Sequence, residues 1–331
     1  MSLLVSRSLL HLVKLPAPKL VFPLHRQLSD VSEELPALLT RIGRELEEGG
    51  VPEPQLSAEY LLSKSLSTGP PSAPVLKADW RSHPASTGLS EAQRASLSRL
   101  VECRLAQVPL QYLLGNWDFR SLTLLCRPPV FIPRPETEQL VELVLDLLPQ
   151  PARDLRLLEV GPGTGAVSLA VLSETDRSTV ASITCVERAQ AALQLTRDNA
   201  ALLGLQDRIV LVPGRVGGEE ELEGLEDQYD LVFSNPPYIL RKDLAQLSPQ
   251  IALYEDLRAL DGGADGLDVI LSILELASSR LRPGGLVILE VDPCHPYILP
   301  EKLEKKNIKF TVEKTVQDFA GKDRFMVLKK S

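Results

Sequence analysis

Asn235, Pro236, Pro237 and Tyr238 follow the run Leu231-Val232-Phe233-Ser234, and together they form a rigid set of hydrogen-bond acceptors. Proline lacks an N–H and has a fixed φ, so two in succession hold the neighbouring carbonyls in a preset direction. The side-chain carbonyl of Asn235 and the backbone carbonyl of Pro236 can accept both N–H bonds of one planar NH₂ group. Tyr238 supplies a ring to pack against a flat substrate. An amide nitrogen is a poor nucleophile because its lone pair is delocalised, and fixing its hydrogens aims it at an electrophilic methyl. Orientation of this sort supplies several kcal/mol of a barrier, up to roughly 7–11 at the extreme.

A second constellation lies in "LLEVGPGTGAVSLAV", where Glu159, Gly161, Pro162, Gly163, Thr164 and Gly165 stand between a strand and a helix. Glycines let the backbone turn sharply and approach a ligand, and a helix N-terminus presents free N–H groups. Gly161, Gly163 and Ala166 also satisfy the dinucleotide spacing G-x-G-x-x-A, so NAD stays open at this step. Glu187 ends the next strand, where a carboxylate accepts hydrogen bonds from ribose hydroxyls in NAD and S-adenosylmethionine proteins alike. These two signals specify an adenosine-containing cofactor without choosing which. Ligands of open α/β sheets sit beyond the carboxyl ends of the strands, so Asn235 to Tyr238 should share the crevice of the glycine loop. That acceptor array favours S-adenosylmethionine.

The elements that position these groups alternate. "RLLEV" (156–160), "SITCVE" (182–187), "RIVLV" (208–212), "YDLVFS" (229–234) and "LVILEV" (286–291) read as strands, with helices to about 174 and at 189–203 and 266–281, and a turn at "RPGG". Such alternation predicts an open, mainly parallel sheet. "IKFTVEK" and "RFMVLKK" read as an antiparallel pair at one edge. Upstream, residues 30–115 read as helices. Leu35, Leu38, Leu39, Ile42 and Leu46 have helical spacing, Asp30 and Glu33 can form a capping box, and Gly49-Gly50 stops the run. A second helix is expected at about 55–66, "STGPPSAP" (67–74) reads as a loop, and Ser90 with Gln93 caps a third helix carrying Leu97, Leu100, Val101 and Leu105. "QYLLGNWDFRSLTLLCRPP" (111–129) predicts a hairpin turning at Gly115-Asn116, and "VFIPRPETEQLVELVLDLL" predicts an extended start and a helix after Pro135.

The first 29 residues hold Arg7, Lys14, Lys19 and Arg26 and no acidic residue, the pattern of a mitochondrial transit peptide. The whole chain carries −8, so removing those four positive charges leaves about −12. An acidic remainder argues against broad phosphate-backbone binding and fits a basic protein partner. No apolar run is long enough to span a bilayer. Cys103, Cys126, Cys185 and Cys294 are widely separated and read as reduced thiols. Outside the first 29 residues the histidines are His83 and His295, too few for a His-rich metal site, and no metal is expected.

"QYLLGNWDF" (111–119), "IPRPETE" (132–138), "EVGPGTGA" (159–166), "SNPPYI" (234–239), "ALDGGADGLD" (259–268) and "DFAGKDRF" (318–325) occur in one order. In that order they resemble the HemK-type release-factor glutamine methyltransferases, in the mitochondrial form, over roughly residues 33–328. The resemblance implies a class I S-adenosylmethionine-dependent methyltransferase fold, Rossmann-like, with a small N-terminal helical domain that grips the release factor. It implies transfer of a methyl to the side-chain amide of the glutamine in the Gly-Gly-Gln motif of a peptide chain release factor, in the mitochondrial matrix. By position, Glu159, Gly161, Pro162, Gly163, Thr164 and Gly165 would line the cofactor, Glu187 would hold its ribose, and Asn235, also at the cofactor, would bind the glutamine amide with Pro236, Pro237 and Tyr238. "IPRPETE" would close over the site, with Arg134 and Glu136 contributing polar groups. The expected layout is a transit peptide over 1–29, a release-factor-binding helical domain over 30–110, a linking hairpin over 111–130 and a methyltransferase domain over 131–331. Gly214-Arg215-Val216 departs from the acidic-then-aromatic pattern of many relatives near the adenine, as does Glu290-Val291-Asp292 from Glu-Ile-Gly.

Two rival readings remain at this level. An N6-adenine-type nucleic-acid methyltransferase presents the same planar NH₂ on a flipped base, and a non-catalytic cofactor-binding assembly factor needs only the glycine loop. The acidic charge and the intact acceptor array weigh against them, and no direct nucleic-acid binding is expected. Asn235→Ala is expected to leave S-adenosylmethionine affinity nearly intact while removing most methyl transfer, as calorimetry beside a transfer assay would register.

Overall fold

The computed structural model describes residues 34–67, 79–82, 88–149, 152–219 and 222–331. The expected transit peptide, the Asp30–Glu33 capping box, most of the "STGPPSAP" loop and His83 lie outside the described residues. The chain divides into two compact units, Met1–Gly115 and Asn116–Ser331.

The first unit holds α1 (Leu35–Glu48), α2 (Pro54–Leu66), α3 (Glu91–Leu105) and α4 (Leu110–Leu114). The spaced leucines of α1 face inward, with Leu35, Leu38, Ile42 and Leu46 buried. Ser90 and Gln93 form the expected capping box at the start of α3: Gln93 N donates to Ser90 Oγ (3.3 Å) and Ser90 N to Gln93 Oε1 (2.8 Å). Buried Arg104 ties α3 to α2, donating to Ser57 Oγ (3.1 Å) and to the Val108 carbonyl (2.9 Å). The segment predicted to be extended from Gln111 opens instead as α4. Leu110, Tyr112 and Leu114 are buried on this single turn, and Gly115 ends it with φ +84°, a conformation that costs glycine little.

The hairpin begins only at β1 (Asn116–Phe119) and β2 (Leu122–Leu125), within the second unit. Then come α5 (Glu138–Asp146), β3 (Leu157–Val160), α6 (Ala166–Ser173), β4 (Ile183–Glu187), α7 (Gln190–Leu202), β5 (Ile209–Pro213), β6 (Tyr229–Ser234), α8 (Pro249–Tyr254), α9 (Asp268–Arg280), β7 (Leu281–Glu290), α10 (His295–Lys306), β8 (Phe310–Gln317) and β9 (Asp323–Lys330). The sheet has seven strands in the order β5-β4-β3-β6-β7-β9-β8. The first five in that order are parallel, and β9 and β8 close one edge antiparallel. Successive strand residues point to opposite faces. Leu157, Ile183 and Phe233 accordingly pack with α5 and α6 on one face, while Leu158, Val160 and Val232 pack with α9 and α10 on the other. Burial on both faces explains why these strands read as continuous apolar runs.

Further elements differ from the sequence-based expectation, α10 and β7 among them. Helix α10 was not anticipated because Pro296 and Pro300 interrupt its pattern; Pro296 stands in the first turn, where its missing N–H costs little, while Pro300 lies inside the helix. The "RPGG" turn is absorbed into β7, which begins at Leu281 and pairs with Tyr229 before the register shifts to Leu231 and Leu286.

Asn199 on α7 fastens the hairpin to the glycine loop. Its Oδ1 accepts from Leu125 N (2.7 Å), and its Nδ2 donates to the carbonyls of Leu125 (3.2 Å) and Thr164 (2.9 Å). Asn199→Ala strands these buried partners and is expected to cost about 2 kcal/mol, read as a lower urea midpoint with an unchanged slope.

Candidate active site

Parallel strands bring their carboxyl ends to one edge of a sheet. Val160 of β3, Glu187 of β4, Ser234 of β6 and Glu290 of β7 therefore end close together, and three of the connections beyond them line one cavity of about 510 Å³. Glu159, Gly161, Pro162, Gly163, Thr164, Glu187, Asn235, Pro236, Pro237 and Tyr238 all line it, as do Gly214, Arg215 and Val216. The cavity thus gathers nearly all the residues singled out from sequence.

The three glycines of the loop have different duties. Gly161 (φ +73°) and Gly163 (φ +60°) adopt the left-handed region, and a Cβ on either would meet nothing within 4 Å. Both therefore leave open space for a ligand to lie against the backbone, which fits an adenosine-type cofactor. Gly165 does not line the cavity; a Cβ there would stand 2.9 Å from Thr196 Cγ2, so this glycine serves the packing of the loop on α7. Below the loop Glu159 is buried, and its Oε2 accepts from Ser168 N (3.2 Å) and from the Ser168 hydroxyl. Burial pushes its carboxyl up to about 7. Glu187 holds the loop from the other side, with Oε1 accepting from Ala189 N (2.8 Å) and Oε2 from Gly163 N (3.4 Å).

Beyond β6, the Ser234 hydroxyl donates to the Val160 carbonyl (2.6 Å) and fixes the strand end. Asn235 Nδ2 donates to Thr137 Oγ1 (3.0 Å), Thr137 donates to Glu290 Oε2 (2.8 Å), and Tyr238 OH donates to Glu290 Oε1 (3.1 Å). Among the described residues neither Asn235 Oδ1 nor the Pro236 carbonyl accepts a hydrogen bond. Both predicted acceptors are therefore available to a substrate NH₂. The "ALDGGADGLD" segment backs the tetrapeptide: Ile239 N donates to the Leu260 carbonyl (3.0 Å) and Gly262 N to the Ile239 carbonyl (2.9 Å). A Cβ on Gly262 would come within 2.8 Å of the Pro237 carbonyl, and one on Gly266 within 2.4 Å of that of Tyr238. Only glycines let this loop lie so close.

Arg134 and Glu136 fare differently. Arg134 lines the cavity but is engaged with buried Glu255 (2.6 Å) and lies over the Phe131 ring, 4.6 Å from its centroid. Glu136 is not part of the lining. The polar group that "IPRPETE" delivers to Asn235 is Thr137, which sequence reasoning missed together with the role of Glu290 as a shared acceptor. A signal for Glu290 existed, since an acidic residue ends β7 as Glu187 ends β4.

Residues 37–115 match the family model described as PrmC N-terminal domain, and residues 122–252 the one described as Methyltransferase small domain. The MTRF1L release factor glutamine methyltransferase of Homo sapiens is 40% identical over 294 residues, covering 86% of this chain and 84% of the relative. The chain belongs to the release factor glutamine methyltransferase family. A bacterial family member, from Deinococcus radiodurans, is 34% identical over 88% of this chain and 97% of its own length. A solved ribosomal protein L11 methylase from Lactobacillus delbrueckii subsp. bulgaricus has a TM-score of 0.44 and 17% identity, covering 66% of this chain and 99% of that one. In this family the cofactor is S-adenosylmethionine, and the backbone at Gly161 and Gly163 has open space beside it.

Glu290 is buried, and burial pushes its carboxyl up to about 7 despite the hydrogen bonds from Thr137 and Tyr238 and the nearby Arg324 charge. A carboxyl whose folded pKa lies above its unfolded value of about 4.3 holds its proton in the native state while the unfolded chain has lost it. Native stability therefore falls as pH rises from about 4.3 towards about 7. Glu290→Gln removes this contribution, so the wild-type melting temperature is expected to decline more steeply than that of the variant between pH 5.5 and about 7.

Proposed function

We infer that this chain methylates the side-chain nitrogen of the glutamine in the Gly-Gly-Gln motif of a mitochondrial peptide chain release factor, within the matrix. The carrying observation is the pair of uncommitted acceptors, Asn235 Oδ1 and the Pro236 carbonyl, on the wall of the cavity that also holds the glycine loop. S-adenosylmethionine supplies the electrophilic methyl on a positively charged sulfur. The chain's own residues do the positioning. Gly161, Gly163 and Thr164 present backbone to the cofactor, and Glu187 stands beside them to accept from its ribose.

Asn235 and Pro236 hold both hydrogens of the glutamine NH₂, which fixes the plane of the amide and turns the face of its nitrogen towards the methyl. Tyr238, half-buried and anchored through its hydroxyl to Glu290, packs on that plane. As the nitrogen bonds to the methyl, the carbon–sulfur bond breaks and leaves a neutral sulfur, and the nitrogen then gives up one hydrogen as a proton to water; fixing the approach substitutes for a strong base. His295 takes no part. Its ring is buried behind the site between the Asp265 carbonyl (3.1 Å) and the Asp292 N–H (3.3 Å).

The names of the relatives, release factor glutamine methyltransferases, support a protein amide over a nucleobase, and so does the acidic charge of −8. The helical first unit is the part assigned to gripping the factor. Incubation with S-adenosylmethionine and a mitochondrial release factor, followed by peptide mass spectrometry, is expected to place one methyl on the glutamine of Gly-Gly-Gln. Methylated RNA or DNA beside an unmodified factor would overturn the reading.

A further inference from the structure

A carboxamide has two ends of similar size, and a 180° turn about its last bond exchanges an acceptor for a donor. Asn235 can serve a substrate NH₂ only with its oxygen towards the cavity. The opposite setting would meet that NH₂ with another NH₂. What selects the productive setting lies outside the tetrapeptide, in two residues more than 95% removed from solvent: Thr137 is 4% and Glu290 2% exposed.

We propose that Thr137 and Glu290 are positioning residues, a relay that locks the Asn235 carboxamide with its oxygen facing the substrate and makes the site specific for an NH₂ donor. A hydroxyl has one hydrogen. With that of Thr137 given to Glu290 Oε2 (2.8 Å), Thr137 Oγ1 can only accept, and it accepts from Asn235 Nδ2 (3.0 Å). The nitrogen is thereby turned away from the substrate. The second carboxylate oxygen, Oε1, accepts from Tyr238 OH (3.1 Å), so one buried anion sets both the acceptor and the ring of the substrate slot. Direction in the relay comes from charge. An ionised carboxylate has no hydrogen to give, whereas a neutral one carries an O–H that can turn towards Thr137 and reverse the sequence of donors.

Three further groups face Glu290 and act on its ionisation. Tyr238 reaches it from beyond β6, Arg324 favours the anion from β9, and Glu136 opposes it from the turn ahead of α5. Arg324 is itself braced, donating to Asp318 Oδ2 (3.1 Å) and to the Val291 carbonyl (3.2 Å), with its guanidinium 5.9 Å from the centre of the Tyr238 ring. This arrangement gives the "DFAGKDRF" turn a part in the site, that of holding a positive charge beside the buried anion.

The proposal rests on the methyl-transfer reading, and its test separates the two. Thr137→Val, Thr137→Ser and Glu290→Gln are compared with wild type by single-turnover methyl transfer to the release factor at saturating cofactor, by cofactor affinity, and by hydrogen exchange of the Asn235 side-chain NH₂ in ¹⁵N-labelled protein. Thr137→Val is expected to slow transfer about 100-fold with cofactor affinity unchanged and with fast exchange at Asn235, and Thr137→Ser to restore both rate and protection. The wild-type rate should rise with pH over roughly pH 6 to 8, and that rise should be absent in Glu290→Gln. Transfer by Thr137→Val within about threefold of wild type, or equal exchange at Asn235 in the two proteins, overturns the relay. If Thr137→Val also loses cofactor affinity through misfolding, Glu290→Gln decides by its pH profile and exchange. A wild-type protein that leaves the release factor unmethylated overturns the functional reading, and Asn235 exchange still decides the relay.

Discussion

The hydrogen bond from Asn235 Nδ2 to Thr137 Oγ1, 3.0 Å long, turns the amide nitrogen of Asn235 to Thr137 and leaves its oxygen without a protein partner among the described residues. Chemistry on an amide nitrogen demands a site that accepts two hydrogens at fixed angles, and one reversed group turns attraction into a clash of donors. The rest of the second unit can be understood as the means of keeping that bond in place. Thr137 arrives on the turn before α5, Asn235 at the end of β6, and Glu290 at the end of β7, so three separate segments meet around one buried carboxylate. Burial makes each of these hydrogen bonds matter more, because an unpaired partner would find no water to replace it.

The sheet supplies the common edge. Parallel pairing of β4, β3, β6 and β7 places four carboxyl ends side by side, and crossing from one face to the other at β3 opens the crevice between them. Two loops then divide the work. The loop after β3 keeps open space at Gly161 and Gly163 where a side chain would stand. The loop over 262–266 does the reverse and uses glycine to press backbone against the carbonyls of Pro237 and Tyr238. Glycine is required in both, for opposite reasons.

Much of this was legible in the sequence. Strands β3, β4 and β6 declared themselves because both their faces are buried, so largely apolar runs appear, and the acceptor array declared itself because Asn-Pro-Pro-Tyr is rigid by its covalent structure alone. The glycine loop was legible as a turn beyond a strand end, where Gly161 and Gly163 line the cavity, but not the separate packing duty of Gly165, since contact with Thr196 depends on where α7 lies. Helix α10 was hidden by its prolines, and α4 by a short length that carries no full period. Thr137 and Glu290 were missed for a different reason. They are 153 positions apart, each is ordinary in its local context, and only the folded sheet brings them to one carboxamide. Arg134 attracted attention as a charged residue beside prolines, yet a buried partner, Glu255, claims its guanidinium.

The proposed hold on the NH₂ of a glutamine side chain is made by Asn235 Oδ1 and the Pro236 carbonyl together. Its most direct test is a crystal structure of the protein with S-adenosylhomocysteine and a peptide containing Gly-Gly-Gln. The glutamine nitrogen is expected within hydrogen-bond reach of both acceptors while Asn235 Nδ2 stays on Thr137. A glutamine bound elsewhere in the cavity, or an Asn235 turned so that Nδ2 leaves Thr137 to donate to the peptide, would contradict it.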